Sequence, residues 1–256
     1  MARIIALANQ KGGVGKTTST INIGAGLHKA GKRVLMVDLD PQGNLTVSVG
    51  IQAHELELTM FEVLKSDCGI HNAIIKRGYD VLPADIRLSG ADMELNGIPG
   101  REMLLKDALA HIAAEYDYIL IDCPPSLGLI TLNGLTAANE IFIPLQAEFL
   151  ALNGMSQLIN TVKAVQKRLN PQLGITGIVV TLYDGRKNLN KEVLEKIRQY
   201  FPNKTFSTLI RDNIALAEAP SHGKDIFEYR ADSTGAADYK ALCGEIIKQE
   251  EKYNGY

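Results

Sequence analysis

The stretch Asn9-Gln10-Lys11-Gly12-Gly13-Val14-Gly15-Lys16-Thr17-Thr18 stands between an apolar run and a helix-like one, and it decides the fold. Its three glycines allow backbone N–H groups to turn towards an anion, and the following helix adds the positive end of its dipole. A lysine followed by a threonine suits the β- and γ-phosphates of a nucleotide and its Mg²⁺. We interpret this stretch as a phosphate-binding loop.

The loop departs from the full pattern G-x-x-x-x-G-K-[ST] at one position, because Gln10 stands where the first glycine should be. It has a second lysine, Lys11, in addition to Lys16. A dinucleotide-binding loop is the rival interpretation, since Asp38 lies about 20 residues beyond the glycines. That loop would need a small residue at Thr18, and it leaves the Lys16-Thr17 pair unexplained. A glycine turn with a purely structural role is the remaining alternative.

The segments around the loop predict a parallel βαβ unit. Arg3–Ala8 and Val34–Asp38 are apolar strand-like runs, and Lys16–Ala30 between them is helix-like and ends at Gly31. Further helices are predicted at Thr59–Lys65, Glu102–Ala114, Gly154–Leu169, Lys191–Tyr200 and Gly235–Glu251. Further strands are predicted at Asp80–Pro83, Tyr118–Asp122, Glu140–Pro144, Ile175–Thr181 and Phe206–Ile210. The expected fold is α/β, a mostly parallel twisted β-sheet flanked by helices on both faces.

Two of the predicted strands end in an aspartate. Asp38 closes one strand and is followed by Asp40, and Asp122 closes another. Because the carboxyl ends of parallel strands meet at one edge of the sheet, we expect these side chains beside the loop. Arg211 and Asn213 follow a third strand end, where they are candidates for contact with the base, although Asn213 also suits a helix cap. His111 is expected to lie at the surface or to be a core residue with its hydrogen bonds satisfied.

Composition excludes several classes of protein. The chain has 256 residues, 46% of them hydrophobic, and no composition shift or linker divides it, so we expect one domain over residues 1–256. It begins with no signal peptide and has no apolar run of membrane-spanning length, which leads us to expect a cytoplasmic protein. Its three cysteines predict neither a disulfide framework nor a zinc site, and Cys123 is expected to be a small buried apolar residue.

The net charge is only −2, but the charge is unevenly distributed. Ten Lys or Arg residues stand against three acids between Ser156 and Arg211. This excess indicates either a surface that binds an acidic partner or a solvated helix face.

These motifs together resemble the ParA/Soj partition ATPases, of the deviant Walker A class of P-loop NTPases, over nearly the whole chain. Residues 11–17 are similar to the family's P-loop, 38–44 to its first switch, 122–128 to its second, and Glu218-Ala219-Pro220-Ser221-His222-Gly223 to a late signature. The resemblance implies ATP and Mg²⁺ as ligands. The implied ATP-binding residues are Lys11, Gly12, Gly13, Val14, Gly15, Lys16, Thr17, Thr18, Arg211 and Asn213.

The resemblance also implies roles for single residues. Lys11 would reach the phosphates of a partner subunit in an ATP-dependent homodimer, and it is a catalytic candidate together with Lys16 and Asp40. Asp40 would position the attacking water. Thr17 would ligate Mg²⁺ directly, whereas Asp38 and Asp122 would do so through water.

The family role that follows is non-specific binding to double-stranded DNA as the ATP dimer, with release when a ParB-like protein stimulates hydrolysis. The implied location is the cytoplasm, with nucleoid association in the ATP state. The candidate DNA contacts are Arg186, Lys187, Lys191, Lys196 and Arg211. The chain departs from the family here, because Asp212 and Ala215 stand where many Soj-like proteins have arginines, which puts DNA affinity in doubt.

Three alternatives share the loop. A ParA-like ATPase can position a non-DNA cargo such as a protein array, a carboxysome or the cellulose-synthesis machinery. A MinD-like switch would need a membrane anchor, but the closing helix carries outward Lys, Glu and Gln, so no stable membrane association is expected. A nitrogenase-type iron protein would need paired cluster cysteines, which the sequence does not supply. We also expect no helix-turn-helix extension before the P-loop.

Overall fold

A computed structural model describes residues 2–148 and 155–253 of the chain, with side chains as far as residue 249. Its sheet has six parallel strands in the order β3-β2-β4-β1-β5-β6. The strands are β1 (Arg3–Leu7), β2 (Val34–Asp38), β3 (Asp80–Leu82), β4 (Tyr118–Asp122), β5 (Glu140–Gln146) and β6 (Gly174–Thr181). The predicted parallel α/β sheet is therefore confirmed.

The α-helices of the described residues lie between these strands and after the last of them. They are α1 (Lys16–Lys29), α2 (Asn44–Ser48), α3 (Met60–Leu64), α4 (Ile70–Ala73), α5 (Ala91–Glu94), α6 (Leu104–Ala110), α7 (Leu129–Ala137), α8 (Met155–Arg168), α9 (Asn188–Tyr200), α10 (Ile214–Glu218), α11 (Ile226–Tyr229) and α12 (Thr234–Tyr253). Short 3-10 turns lie at Ala53–Glu55, Ile86–Gly90, Ala113–Glu115 and Ala219–His222. Over the described parts of the chain, no helix is both long and apolar enough to span a membrane.

The sheet is buried between two hydrophobic clusters. One includes Val37 and Ile121 with side chains of α6, α7, α8 and α9, and the other includes Met36 and Leu120 with side chains of α1 and α12. Neighbouring residues of β2 and β4 point to opposite clusters, as successive strand residues must. Both strands are buried along their whole length, which explains their continuous apolar sequences.

The carboxyl ends of the central strands are in register. Leu7 of β1 pairs with Asp122 of β4, and Asp38 of β2 pairs with the same Asp122. This pairing brings the loop after β1 and the two strand-end aspartates to one edge of the sheet.

Several predicted boundaries need correction. The strand predicted at Phe206–Ile210 does not form a regular ladder, although the Phe206 and Ile210 N–H groups donate to carbonyls of β6. Between them, the N–H groups of Ser207 and Thr208 donate instead to the Glu245 carboxylate on α12, at 2.9 and 2.7 Å. This side chain replaces the backbone partners that a seventh strand would need.

The helix predicted at Glu102–Ala114 is shorter than expected. Helix α6 covers Leu104–Ala110, and the His111 N–H donates to the Ala108 carbonyl, which tightens the last turn. The helix predicted at Thr59–Lys65 is α3 with Thr59 as its cap, in a capping box with Glu62. Gly154, the first residue of another predicted helix, lies outside the described residues.

Candidate nucleotide site

The loop after β1 has the backbone shape that its glycines allow. Gly13 and Gly15 have φ angles of 73° and 80°, in the left-handed region where other residues are strained. Gly15 directly precedes α1, so the loop passes into the N-terminus of that helix. Side chains from two other strand ends hold it: Thr181 Oγ1 donates to the Val14 carbonyl at 2.8 Å, and Gln146 Nε2 donates to the Gly13 carbonyl at 2.9 Å.

The two lysines of the loop have different surroundings. Lys16 is 8% exposed, and its amine lies 3.4 Å from the Lys11 carbonyl oxygen. The Lys11 side chain is 43% exposed, and its amine is bonded to Glu148 at 2.6 Å and to Gln146 at 3.2 Å. Lys16 is thus fixed inside the loop, whereas Lys11 lies at the surface.

Asp122 lies against the start of α1. Its carboxylate accepts hydrogen bonds from Thr17 Oγ1 at 2.6 Å and, more weakly, from Thr20 Oγ1 at 3.4 Å. Thr20 Oγ1 also lies 3.0 Å from the Lys16 carbonyl oxygen. Strand β4 therefore delivers a buried carboxylate to the threonine that follows the loop lysine.

Asp38 and Asp40 belong to the turn after β2. Asp38 is fully buried, and its carboxylate accepts from the Asp40 N–H at 3.1 Å and from the N–H and hydroxyl of Thr46 at 2.9 and 2.7 Å. Asp40 is half-buried, and its carboxylate accepts from the Gln42 N–H at 3.0 Å. The turn is held by its own side chains, as Asx-type turns are.

Burial strongly affects the ionisation of the two strand-end carboxyls. Desolvation raises the pKa of Asp38 to about 7 against the opposing hydrogen bonds from Thr46. Desolvation followed by the charge of Asp38 raises the pKa of Asp122 to about 8, while Thr17 and Lys16 act in the opposite direction. A cation bound beside these groups would favour their ionised forms.

The loop and Asp40 line a cleft of about 570 Å³. Nothing lies within 4 Å of the positions that side chains at Gly12 and Gly13 would take, so both glycines face open space. Pro125, after β4, also lines the cleft, as do Arg211, Asp212 and Asn213. A volume of this size accommodates a nucleotide-sized ligand.

The polar groups at this edge of the sheet fit a magnesium–nucleotide ligand. A threonine hydroxyl and two carboxylates are the oxygen ligands that Mg²⁺ prefers, and a buried lysine stands beside them. Within the described residues, no group of three or more His, Cys, Asp or Glu side chains is placed to hold a metal by itself. Magnesium sites of this kind are completed by phosphate oxygens of the nucleotide.

The predicted base contacts lie on the cleft but have partners within the chain. The Arg211 guanidinium donates to both carboxylate oxygens of Asp238, with Nη2 2.6 Å from Oδ1. Asn213 is the N-cap of α10, where its Oδ1 accepts from the Ala215 N–H at 2.9 Å and its Nδ2 donates to Thr234 at 2.6 Å. The helix-cap interpretation of Asn213 is confirmed, and contact with a base stays a prediction.

The candidate DNA contacts lie together after β6 and on α9, at the edge of the sheet. Arg186, Lys187, Lys191 and Lys196 are all exposed. Arg186, 91% exposed, forms a bidentate pair with Asp184, at 2.9 Å from Nε and from Nη2, and this arginine holds the pKa of Asp184 at about 2. Part of the positive charge of this surface is therefore already paired.

Comparison with known proteins gives close relatives. The chain is 49% identical over 250 residues to the sporulation initiation inhibitor protein Soj of Bacillus subtilis, covering 96% of this chain and 98% of that one. It is 48% identical over 254 residues to the chromosome-partitioning ATPase Soj of Treponema pallidum, covering 98% and 99%. The chain belongs to the ParA/Soj family of chromosome-partitioning ATPases. A family model described as an AAA domain also matches residues 2–175.

A solved structure is similar to this ParA/Soj chain over its whole length. The structure of cobyrinic acid a,c-diamide synthase from Mycobacterium smegmatis, with bound ADP and magnesium, has a TM-score of 0.87 and 39% identity, and covers 100% of this chain and 97% of its own. The fold is therefore that of P-loop NTPases, as predicted.

The sequence did not predict several residues that complete this site. Thr20, Thr46, Gln146 and Asp238 hold Asp122, Asp38, the loop and Arg211, respectively. Gln146 could have been predicted as a site residue, because it ends β5 at the same edge of the sheet as the loop. Asp238 could not have been predicted, because in sequence it is one polar residue of a long amphipathic helix.

Proposed function

We propose that this chain binds and hydrolyses ATP with Mg²⁺, dimerises in the ATP state, and binds double-stranded DNA non-specifically in chromosome or plasmid segregation. The observation that carries the ATPase proposal is the convergence of Lys16, Thr17 and Asp122 at the end of the β1–β4 pair, with Thr17 Oγ1 2.6 Å from Asp122. Family membership supports the reaction, and the ADP and magnesium of the Mycobacterium smegmatis protein support the ligands.

Each residue of the site has one task in this proposal. The inward N–H groups of residues 12–17 and the Lys16 amine bind phosphate oxygens and neutralise charge that grows during phosphoryl transfer. Thr17 would ligate Mg²⁺, with Asp38 and Asp122 acting through water. The ion supplies charge neutralisation and geometry to the phosphates. Asp40, at the wall of the cleft, orients the attacking water.

Dimerisation is the proposed task of Lys11. Its amine is at the surface, where it pairs with Glu148 in the same chain. An exposed pair of this kind contributes about 0–1 kcal/mol, so it does not prevent the lysine from reaching the phosphates of a second subunit. Hydrolysis would then separate the subunits, and a ParB-like protein would stimulate that step.

The DNA surface comprises Arg186, Lys187, Lys191 and Lys196 with Arg211 beside them. Exposed cations of this kind bind phosphates without reading sequence, and their affinity falls steeply with salt. In the ATP dimer two such surfaces act together, which links DNA binding, and with it nucleoid association, to the nucleotide.

The pairing of Arg186 with Asp184 and of Arg211 with Asp238 favours a second candidate, an ATPase of this family that positions a non-DNA cargo. Assays of phosphate release and DNA retention on purified protein, with Mg²⁺ and ATP or ADP, distinguish the two candidate functions. Phosphate release together with ATP-dependent, salt-sensitive retention of random duplex DNA supports partition. Phosphate release without DNA retention favours another cargo, and no phosphate release contradicts the ATPase proposal.

A further inference from the structure

Thr46, on α2, is a buried residue that the family motifs do not include. It is fully inaccessible to solvent and lies two residues after the end of the turn that carries Asp38 and Asp40. Its N–H and its hydroxyl both donate to Asp38 Oδ2, at 2.9 and 2.7 Å. One residue therefore supplies two of the three hydrogen bonds that the Asp38 carboxylate accepts from the described residues.

The direction of the Thr46 hydroxyl is also fixed. Its oxygen accepts a hydrogen bond from the Ala84 N–H, beyond the end of β3, at 3.0 Å. Since Ala84 supplies a proton to that oxygen, the hydroxyl's own proton is left for Asp38. The hydroxyl thus connects the ends of two neighbouring strands through one oxygen atom.

The helix that carries Thr46 is held at both ends by close backbone contacts. A side chain at Gly43 would lie 2.8 Å from the Ala84 carbonyl oxygen. One at Gly223, the last residue of the late signature, would lie 2.8 Å from the Gly50 Cα. All three glycines have φ angles between 61° and 77°, so both contacts depend on glycine. The signature therefore packs against the end of the α2 segment, and α2 cannot shift freely relative to the strand ends.

We propose that Thr46 is a positioning residue that fixes the orientation of the Asp38 carboxylate towards the metal of the bound nucleotide. The inference rests on the proposed role of Asp38. With Oδ2 held by Thr46 and Oδ1 held by the Asp40 N–H, the remaining acceptor directions of Asp38 are set before the ligand arrives. Such outer partners of metal sites change metal affinity about 10- to 100-fold when they are removed.

The experiment compares Thr46→Val, which removes the hydroxyl at nearly constant volume, with Thr46→Ser, which retains it. Thr136→Val is the matched control, because Thr136 is also fully buried and its hydroxyl has no hydrogen-bond partner among the described residues. We expect Thr46→Val to raise the Mg²⁺ concentration for half-maximal ATP turnover about tenfold, with the KM for ATP at saturating Mg²⁺ within about twofold of wild type. Thr46→Ser and Thr136→Val should both match wild type.

Hydrogen exchange of the nucleotide-free proteins gives a readout independent of activity. In Thr46→Val, the amides of residues 38–50 and of Ala84 should exchange at least about tenfold faster, because the bonds between the two strand ends are lost. Should Thr46→Val fail to fold, Thr46→Cys replaces it, and its weaker hydrogen bonds should give the same changes at smaller size.

Two results would overturn the inference: an unchanged Mg²⁺ requirement in the hydroxyl-free variant, or a serine variant as impaired as the valine one. A wild-type protein without ATP turnover would contradict the proposed function instead. The positioning of Asp38 would then be judged by exchange alone, and unchanged exchange in Thr46→Val would overturn it.

Discussion

The carboxyl edge of the sheet carries charge in two regions that differ in burial. At the ends of β2 and β4, Asp38 and Asp122 are buried, and both carboxyls have raised pKa values. Beyond β6, Arg186 and Arg211 are exposed, and each is paired with a carboxylate. A buried charge without a full set of partners is costly, whereas an exposed pair contributes little. Substitutions in the buried region should therefore have large effects. Those in the exposed region should have small effects that depend on salt.

The largest effect is expected at Lys16. Lys16→Ala should weaken ATP binding at least about 30-fold, because removing one partner of a buried charge contact costs about 2–5 kcal/mol. Titration with a fluorescent ATP analogue measures this. Lys11→Ala is the matched control in the same loop, and it should retain nucleotide affinity within a few-fold while losing ATP-dependent dimerisation. Equal losses of affinity in the two variants would contradict the division of roles between the lysines.

Asp40 should affect turnover and not assembly. Asp40→Ala is expected to lower kcat about 100-fold or more, the range for a group that positions or activates a nucleophile. ATP-dependent dimerisation should persist, since Asp40 is not among the groups proposed to bind phosphate. Phosphate release and light scattering on the same sample test both statements, and rapid hydrolysis by this variant would refute the role.

A substitution at Asp122 should raise stability and lower activity. Asp122→Asn keeps the shape of the side chain and removes the buried charge, so we expect nucleotide-free protein to be more stable by about 1–2 kcal/mol at pH 8, with turnover strongly reduced. Urea unfolding measures the free energy. The same change at Asp184, whose carboxylate is paired with Arg186, should give no stabilisation.

The pH dependence gives the sign of this effect. Aspartate in an unfolded chain has a pKa of about 3.9, whereas the pKa values of Asp38 and Asp122 in the folded protein are about 7 and about 8. Between about pH 4 and pH 8 these two carboxyls therefore hold more protons in the folded wild type than in the unfolded chain. Its free energy of unfolding without nucleotide should therefore fall as the pH rises through this interval. Asp122→Asn should show a smaller fall. An identical slope in both proteins would show that the buried pair does not have the raised pKa values.

The smallest effect is expected in the exposed region. Arg186→Ala should weaken retention of random duplex DNA by the ATP-bound protein and reduce the slope of log K against log salt by about 1, the value for one phosphate contact. Lys106→Ala removes one exposed positive charge from α6, which packs against α3 and α7, and should leave the slope unchanged. If the two variants behave alike, Arg186 does not contact DNA.

The same two regions differ in how well the sequence predicts them. Strands β2 and β4 and their terminal aspartates follow from apolar runs that end in a charge, and register places both carboxylates at the loop. Such a pattern is local and strong, because a short apolar run that ends in polar residues is typical of a strand buried on both faces.

Side-chain partners from distant segments are not predictable in this way. Glu245 on α12 takes the N–H groups of Ser207 and Thr208 and so removes a predicted strand, and Asp238 pairs with Arg211 across 27 positions. In sequence both acids belong to the polar face of a helix. The packing of α12 against α1 brings these carboxylates to Arg211 and to the segment after β6.

Sedimentation with ATP and with ADP, each with Mg²⁺ and with or without random duplex DNA, tests the central claim that nucleotide state controls assembly and DNA binding. Asp40→Ala provides a non-hydrolysing form for the ATP sample. We expect a dimer with ATP that sediments together with the DNA at low salt, and a monomer with ADP that does not. The same sedimentation coefficient and the same DNA association with both nucleotides would contradict the account.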